Sequence, residues 1–432
     1  MTAVLADARA VALDLLTEVL VRRRMLDDSF DSHPAIPALA ERDRAFARLL
    51  AATTLRRLGQ IDSLIGRCLE RELPPKAARA RMALRLGTCQ LLFLDTPAHA
   101  AISTSVEQVK HGPLAGYAGL INAVLRRLHR DGVAWAAEQD AARLNTPDWL
   151  WESWVQAYGG QTARAIADAH LHEAPTDITV AGDPVEWATR LEAEILATGS
   201  LRRHGHGDVT RLPGFADGAW WVQDAAAALP ARLLGPVANR TVADLCAAPG
   251  GKALQLATAG ARVTAVDRSA KRLERFRANL ARMGLDAEIV EADASVWSAP
   301  APFDAVLLDA PCSATGTLRR HPDGLWLKRP ADVAALAGAQ ARLLRSASAM
   351  VRPGGVLIYC VCSLQPEEGI AQIEAFLGEG VPFARVPIQA AELGGLAELV
   401  SAAGDLRTLP CHLADKGGMD AFFAARLQRS LD

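Results

Sequence analysis

The chain has 432 residues, a formal net charge of −2, 50% hydrophobic residues and 22% charged residues. Length asks for two or three domains, and the composition is globular rather than disordered or fibrous. No run of about 18 apolar residues occurs, which excludes a membrane-spanning helix. The near-neutral charge excludes a uniformly basic nucleic-acid module; if the chain binds RNA, the positive potential must be local. Met1-Thr2-Ala3-Val4-Leu5-Ala6-Asp7 lacks a basic stretch followed by an apolar core, so no signal peptide is expected. Seven cysteines, without framework or zinc spacing, read as reduced thiols in a cytoplasm and predict no metal site.

In chain order, residues 1–135 read as all-helical. Val11, Leu15, Leu16 and Val19 mark one apolar face, and Ile121, Val124, Leu125 and Leu128 another, both at helical spacing. Met82–Leu94 is strongly apolar and stops before Asp95-Thr96-Pro97, where proline ends a helix. Arg42, Arg44, Arg48, Arg56 and Arg57, and again Arg126, Arg127, His129 and Arg130, are the candidates for a phosphate-contacting surface against a plain solvated helix face. Residues 145–215 read as a small α+β insert or linker. Thr146-Pro147 opens a helix there, and Trp149, Trp151 and Trp154 are expected to pack. His204-Gly205-His206-Gly207 has no further ligand at metal spacing and reads as a polar loop.

Residues 216–432 alternate strand and helix. Val242–Leu245 runs into Cys246-Ala247-Ala248-Pro249-Gly250-Gly251-Lys252, a strand, a small-residue turn and the start of an apolar helix. It is neither G-x-G-x-x-G nor a P-loop. Val263–Val266, Asp286–Val290, Phe303–Leu308 and Val356–Cys360 are further strands, with Pro353-Gly354-Gly355 as a turn into the last. Repeated strand–helix units predict an α/β, Rossmann-like, mostly parallel sheet with helices on both faces. Asp244, Asp267, Asp293 and Asp309 fall at strand ends, where open α/β sheets bind ligands. An acid after the second strand suits ribose hydroxyls, and one after the third an adenine amino group. A nucleoside cofactor without phosphates, S-adenosylmethionine, fits better than NAD.

Three segments carry a family resemblance: Asp244–Lys252, Asp309-Ala310-Pro311-Cys312-Ser313 followed by Arg319-Arg320-His321-Pro322-Asp323, and Tyr359-Cys360-Val361-Cys362-Ser363-Leu364-Gln365-Pro366-Glu367-Glu368. With the closing Leu409-Pro410-Cys411-His412 and Met419-Asp420-Ala421-Phe422-Phe423, they resemble the RsmB/Fmu/Sun family of bacterial 16S ribosomal RNA cytosine-5 methyltransferases. Residues 1–135 resemble the NusB-like RNA-binding domain through Arg81–Gly87, Pro97–Ile102 and Gly119–Arg127. The resemblance implies a class I methyltransferase domain over 216–432 preceded by the NusB-like domain and the insert. It departs at two places: Val361 stands where the family usually has threonine, and Thr176–Val180 replaces an expected arginine-containing motif.

The chemistry of C5 methylation needs cysteine. C5 of cytosine is a poor nucleophile, and a thiolate adding to C6 makes the ring an enamine that can attack from C5. Residue logic leaves open which cysteine attacks, because Cys312 after proline is similar to the DNA cytosine-5 nucleophile motif. The resemblance assigns the attack to Cys362 and product release to Cys312. Asp309 is then expected at the cytosine N3/N4 edge, the turn from Cys246 through Lys252 around the methionine and sugar of the cofactor, Asp267 at the ribose with Arg272 nearby, and Asp293 at the adenine. Cys360 and Cys362 share a face if the strand continues, and a bend at Val361 separates them. Cys68, Cys89 and Cys411 are expected as packing thiols, and Cys246 as a backbone and packing position. The implied partner is small-subunit ribosomal RNA, with no membrane, no metal and a monomeric chain. The rivals are a transfer-RNA cytosine-5 methyltransferase and a non-catalytic RNA-binding assembly factor.

Overall fold

The structure, a computed structural model, describes residues 7–205 and 207–431. The leader reading over Met1–Ala6 and the His206 position lie outside the described residues. Two compact units form: one holds the chain up to Glu173 together with Leu318–Lys328, the other Ala174–Thr317 with Arg329 onward.

The first unit is helical. Its long helices are Ala8–Leu20, Glu41–Arg56, Ala78–Leu92 and Ala118–Ala137. Val11, Leu15, Leu16 and Val19 are all buried, as are Ile121, Val124, Leu125 and Leu128, so the two predicted apolar faces meet in one core. Helices Ala78–Leu92 and Ala118–Ala137 approach closely at Gly87, where a Cβ would stand 2.6 Å from Leu125 Cδ1. Helices Asp148–Tyr158 and Gly160–His170 also belong to this unit, so the stretch expected as one insert over 145–215 is divided. The physical cause is local. Asn145 accepts from Gln60 N at 3.1 Å and donates to Gln60 Oε1 at 3.0 Å, while Trp154 packs on His170 with ring centroids 5.3 Å apart.

The arginine expectation is corrected in part. Arg56 is buried and donates to Arg319 O at 2.8 Å, and half-buried Arg57 donates to Leu171 O at 3.1 Å. These two guanidiniums satisfy internal carbonyls that burial cut off from water. Arg42, Arg48, Arg126, Arg127, His129 and Arg130 are exposed.

The second unit carries twelve strands among the described residues. In chain order they are β1 (Thr176–Val180), β2 (Glu194–Ile195), β3 (Leu201–Arg203), β4 (Trp220–Val222), β5 (Thr241–Leu245), β6 (Arg262–Asp267), β7 (Glu288–Glu291), β8 (Phe303–Asp309), β9 (Val351–Val361), β10 (Phe383–Arg385), β11 (Leu406–Arg407) and β12 (Phe423–Arg429). The first four make an antiparallel sheet in the order β2-β3-β1-β4. Its last strand lies beyond residue 215, because the Trp220-Trp221-Val222 run pairs with β1. The bidentate Asp177–Arg202 pair, both side chains fully buried, ties this sheet to the carbonyls of Lys416 and Gly418.

The large sheet runs β10-β12-β9-β8-β5-β6-β7, with β11 against β12. β9, β8, β5, β6 and β7 are parallel; β12 is inserted antiparallel beside β9, and β10, antiparallel to β12, runs in the direction of the parallel set. Alternation along each strand feeds two cores. Val242, Ala305, Leu307, Ile358 and Cys360 face the helices Gly251–Thr258 and Ala270–Met283. Ala243, Leu245, Val306, Leu308 and Tyr359 face Pro330–Ala349 and Ile370–Gly378. Helix Ala270–Met283 shows how the local rules set its ends: Ser269 caps the start, Leu273, Phe276 and Leu280 form the buried stripe, and Gly284 stops it in the left-handed region. Pro353-Gly354-Gly355, predicted as a turn before the strand, lies inside β9, where the pairing with β8 shifts register between Phe303 and Ala305.

Candidate active site

The site is built at the carboxyl ends of β5, β6 and β8. β5 is central and apolar, and the chain must leave it in a turn tight enough to start a helix at Gly251. Gly250 makes this possible: its φ is 108°, and a Cβ there would stand 2.0 Å from Phe276 Cδ2. The other tight residue is Cys246, with φ 61°. The turn is pinned to the next strand by Ala247 N donating to Val266 O at 3.1 Å and Ala248 N donating to Asp267 Oδ2 at 3.1 Å. Asp267 also accepts from Ser269 N at 2.9 Å, and Arg272 donates to Ala248 O while lying 3.5 Å from Asp267.

A cavity of about 380 Å³ opens over this turn, lined by Ala247, Ala248, Pro249, Gly251, Lys252, Arg272 and Asp309. That is within the usual range for a small-molecule site. Gln223, Asp224, Asn279 and Arg282 also line it, and sequence reasoning gave them no role. The only signal for them is the polar Gln223-Asp224 pair directly after an apolar strand. Cys246, Gly250, Asp267 and Asp293 lie outside the lining. Asp293 is exposed, and its Oδ1 accepts from Ser295 N at 2.9 Å and Ser295 Oγ at 2.7 Å, which holds its carboxyl below the usual range. Asp244, the penultimate residue of β5, also lines the cavity; it is fully buried, and burial pushes its carboxyl up to about 8 against the pull of Lys252. The backbone cradle, the cavity and the carboxylates around it fit a nucleoside sulfonium such as S-adenosylmethionine.

In the cavity lining, Lys252 Nζ stands 2.7 Å from Asp309 Oδ2 and 5.0 Å from the centre of the Phe422 ring. Burial pulls the lysine down, but Asp309, Cys360 and Asp244 together outweigh it and hold the ammonium above its usual range. The other Asp309 oxygen lies 3.6 Å from Cys360 Sγ. Cys360 is fully buried within β9, and burial keeps its thiol well above the ordinary range. Cys362 lies one residue beyond the end of β9 and takes a different course: its Sγ is 3.4 Å from Cys312 Sγ. That contact, with burial and the nearby Glu368 carboxylate, raises the Cys312 thiol.

The two cysteine loops are locked together. Gly316 N donates to Cys362 O at 3.0 Å, Leu364 N donates to Thr315 Oγ1 at 3.0 Å, and Arg407 Nη1 donates to Ser363 O at 2.6 Å. Gly316 has to be glycine, since a Cβ would lie 2.1 Å from Ala421 O. Glu368, quoted in the motif without a role, is fully buried between the loops and was missed as a functional residue. Its neighbour Glu367 is the same residue type, so nothing local marks which acid turns inward. Burial pushes the Cys246 and Cys89 thiols up to about 12. Among the described residues no group of three or more metal-ligating side chains occurs, and no helix is long and apolar enough to cross a membrane.

A doubly covered, mostly parallel sheet with an antiparallel strand inserted beside β9, and a nucleoside-sized cavity at the end of its central strand, defines a class I methyltransferase that uses S-adenosylmethionine. Residues 231–428 match the family described as 16S rRNA methyltransferase RsmB/F, and residues 6–130 match the NusB family. The chain is 36% identical over 353 residues to ribosomal RNA small subunit methyltransferase B of Shewanella oneidensis, spanning 78% of this chain and 82% of that one. It is 39% identical over 389 residues to the protein of the same name from Xanthomonas campestris pv. campestris, spanning 86% and 87%. A solved methyltransferase homologue from Pyrococcus horikoshii is 26% identical and superposes with a TM-score of 0.54, covering 64% of this chain and 93% of its own. The chain belongs to the RsmB/F methyltransferase family.

Proposed function

We propose that this protein transfers the methyl group of S-adenosylmethionine to C5 of a cytosine in 16S ribosomal RNA, in the cytoplasm, through a covalent cysteine adduct. The observation that carries the reading is the pair of thiols, Cys312 and Cys362, 3.4 Å apart beside the Asp309–Lys252 ion pair. S-adenosylmethionine supplies an electrophilic methyl on a sulfonium and leaves as the neutral thioether. Cys362 is the nucleophile: as thiolate it forms a bond to C6, and the electron pair released toward C5 attacks the methyl. Water then takes the C5 proton, the C–H electron pair restores the C5–C6 double bond, and the C6–sulfur bond breaks to return the Cys362 thiolate. Cys312, whose own thiol resists ionisation, is the protic group beside the leaving sulfur. Asp309, oriented by Lys252 and Cys360, meets the N3/N4 edge of the base as acceptor for the N4 amino group and holds the ring in place. The target base must leave its stack to reach this depth.

Ribosomal RNA names on both relatives, and the NusB match over residues 6–130, support the substrate. Bisulfite mapping of 16S ribosomal RNA with and without the protein tests the reading: a 5-methylcytosine should vanish from the deletion strain. An unchanged 16S map with loss of 5-methylcytosine from transfer RNA would overturn the substrate.

A further inference from the structure

Each of the two paired cysteines is followed by a serine, and both serines turn away from the thiols toward one buried carboxylate. Ser313 N donates to Glu368 Oε1 at 2.8 Å, and the hydroxyls of Ser313 and Ser363 both donate to Oε2. Gln340 Nε2 donates to Oε1 at 3.2 Å and also to Pro311 O at 2.9 Å, so it braces the Cys312 loop from behind. Glu368 is itself held, since its carbonyl accepts from Tyr359 Oη at 2.6 Å. It is fully buried and meets four hydrogen-bond donors. A buried charge costs several kcal/mol unless its bonds are complete, and these four donors complete them; an apolar side chain here would leave the same donors buried without an acceptor.

We propose that Glu368 is a positioning residue for the methyl-transfer site, a single carboxylate clamp that holds the Cys312 and Cys362 loops in register through the serine after each cysteine. The inference rests on the two-cysteine reading above. Its consequence is mechanical first: without the clamp the two loops lose their shared carboxylate and rely on weaker direct contacts, among them Gly316 N to Cys362 O, Thr315 to Leu364 N and Ser363, and the 3.3 Å Ser313–Ser363 hydroxyl pair. The second consequence is electrostatic. The titratable groups facing Cys312 are Cys362, Glu368 and Tyr359, and the Glu368 charge disfavours a thiolate at Cys312. The Cys362 contact and burial raise the Cys312 thiol, and the Glu368 charge adds to them.

The test separates the clamp from the reaction. In full-length protein carrying Cys362→Ser, the rate of Cys312 alkylation by iodoacetamide is followed from pH 7 to 9 by peptide mass spectrometry, with and without Glu368→Gln. Removing the charge should speed alkylation at pH 8 by about tenfold, the effect of one pKa unit. Glu368→Asp, which keeps the charge, should return the rate toward the parent. In the Cys362 protein, Glu368→Gln should lower kcat about tenfold or more and leave KM for RNA and for S-adenosylmethionine within about twofold, the pattern of lost geometry in the transition state. Unchanged alkylation together with unchanged kcat overturns the proposal. If Glu368→Gln fails to fold by circular dichroism, Ser363→Ala carries the test, and an undiminished kcat there overturns it. A wild-type protein that methylates no cytosine at C5 overturns the reaction instead, while the alkylation arm still decides the clamp.

Discussion

Lys252 and Asp309 stand 57 residues apart in the chain and meet at 2.7 Å in the lining of the cavity. The lysine starts the helix after β5 and the aspartate ends β8, so the pair joins two adjacent strand ends and aims one carboxylate oxygen. Lys252→Met keeps the apolar stem and removes the cation. Methyl transfer should fall about 10²–10³-fold, the usual cost of losing a charge-orienting donor in an active site, while circular dichroism stays that of the parent. A variant within threefold of wild type in single-turnover methylation would remove the pair from the chemistry.

The cysteines should separate on denaturing gels. With unmodified RNA and S-adenosylmethionine, Cys312→Ala should accumulate a covalent protein–RNA species, because the adduct forms and is not released. Cys362→Ala should form none. An adduct surviving Cys362→Ala would exchange the two roles.

Gly250→Ala should destabilise the second unit severely. Two penalties coincide: a left-handed φ of 108°, and a Cβ 2.0 Å from Phe276, whose ring is itself fully buried. Backbone strain of this kind costs roughly 1–3 kcal/mol before the clash is counted. Urea unfolding should show the loss, and Phe276→Ala should fail to restore it, since the φ strain stays. Gly251, which lacks a positive φ and has Gln223 Nε2 3.4 Å from a built Cβ, should accept alanine with a smaller loss.

Asp244 sets a pH dependence. Its folded value is raised from 3.8 to about 8. Between those values the folded chain keeps the proton that the unfolded chain has released, so this group's contribution to stability is complete at the acid end and fades as pH rises through the window. Urea midpoints measured from pH 5 to 8 should decline, and Asp244→Asn should flatten that part of the slope. An identical slope in the variant would show that the carboxyl is already ionised in the folded protein.

The strand–turn–helix at Val242–Lys252 was legible because its parts are local: an apolar run, small turn residues and helical spacing lie within a dozen positions. The same holds for the helix faces of the first unit and for the strand ends that place Asp267 and Asp309. Boundaries were less legible. Helices Asp148–Tyr158 and Gly160–His170 carry the same amphipathic pattern whichever sheet or bundle they join, and distant contacts such as Asn145 with Gln60 and Arg57 with Leu171 O decide it.

The sequence by itself determined an α/β domain following a helical one, an S-adenosylmethionine-type turn and a cysteine-bearing segment after each of two strands. Tertiary structure alone decided what those segments do to one another. Arg319–Asp323 reads as part of the catalytic stretch, yet it folds into the helical unit, where Asp323 accepts from Leu26 N at 3.0 Å and His321 stands 3.1 Å from Asp27. Asp244 looks like its fellow strand-end acids, but it is fully buried under the cavity it lines and its carboxyl is raised to about 8. Glu368 looks like Glu367 but lies between both cysteine loops. The physical reason is common to all three: burial and charge environment are sums over neighbours far away in the chain, and no local spacing encodes them.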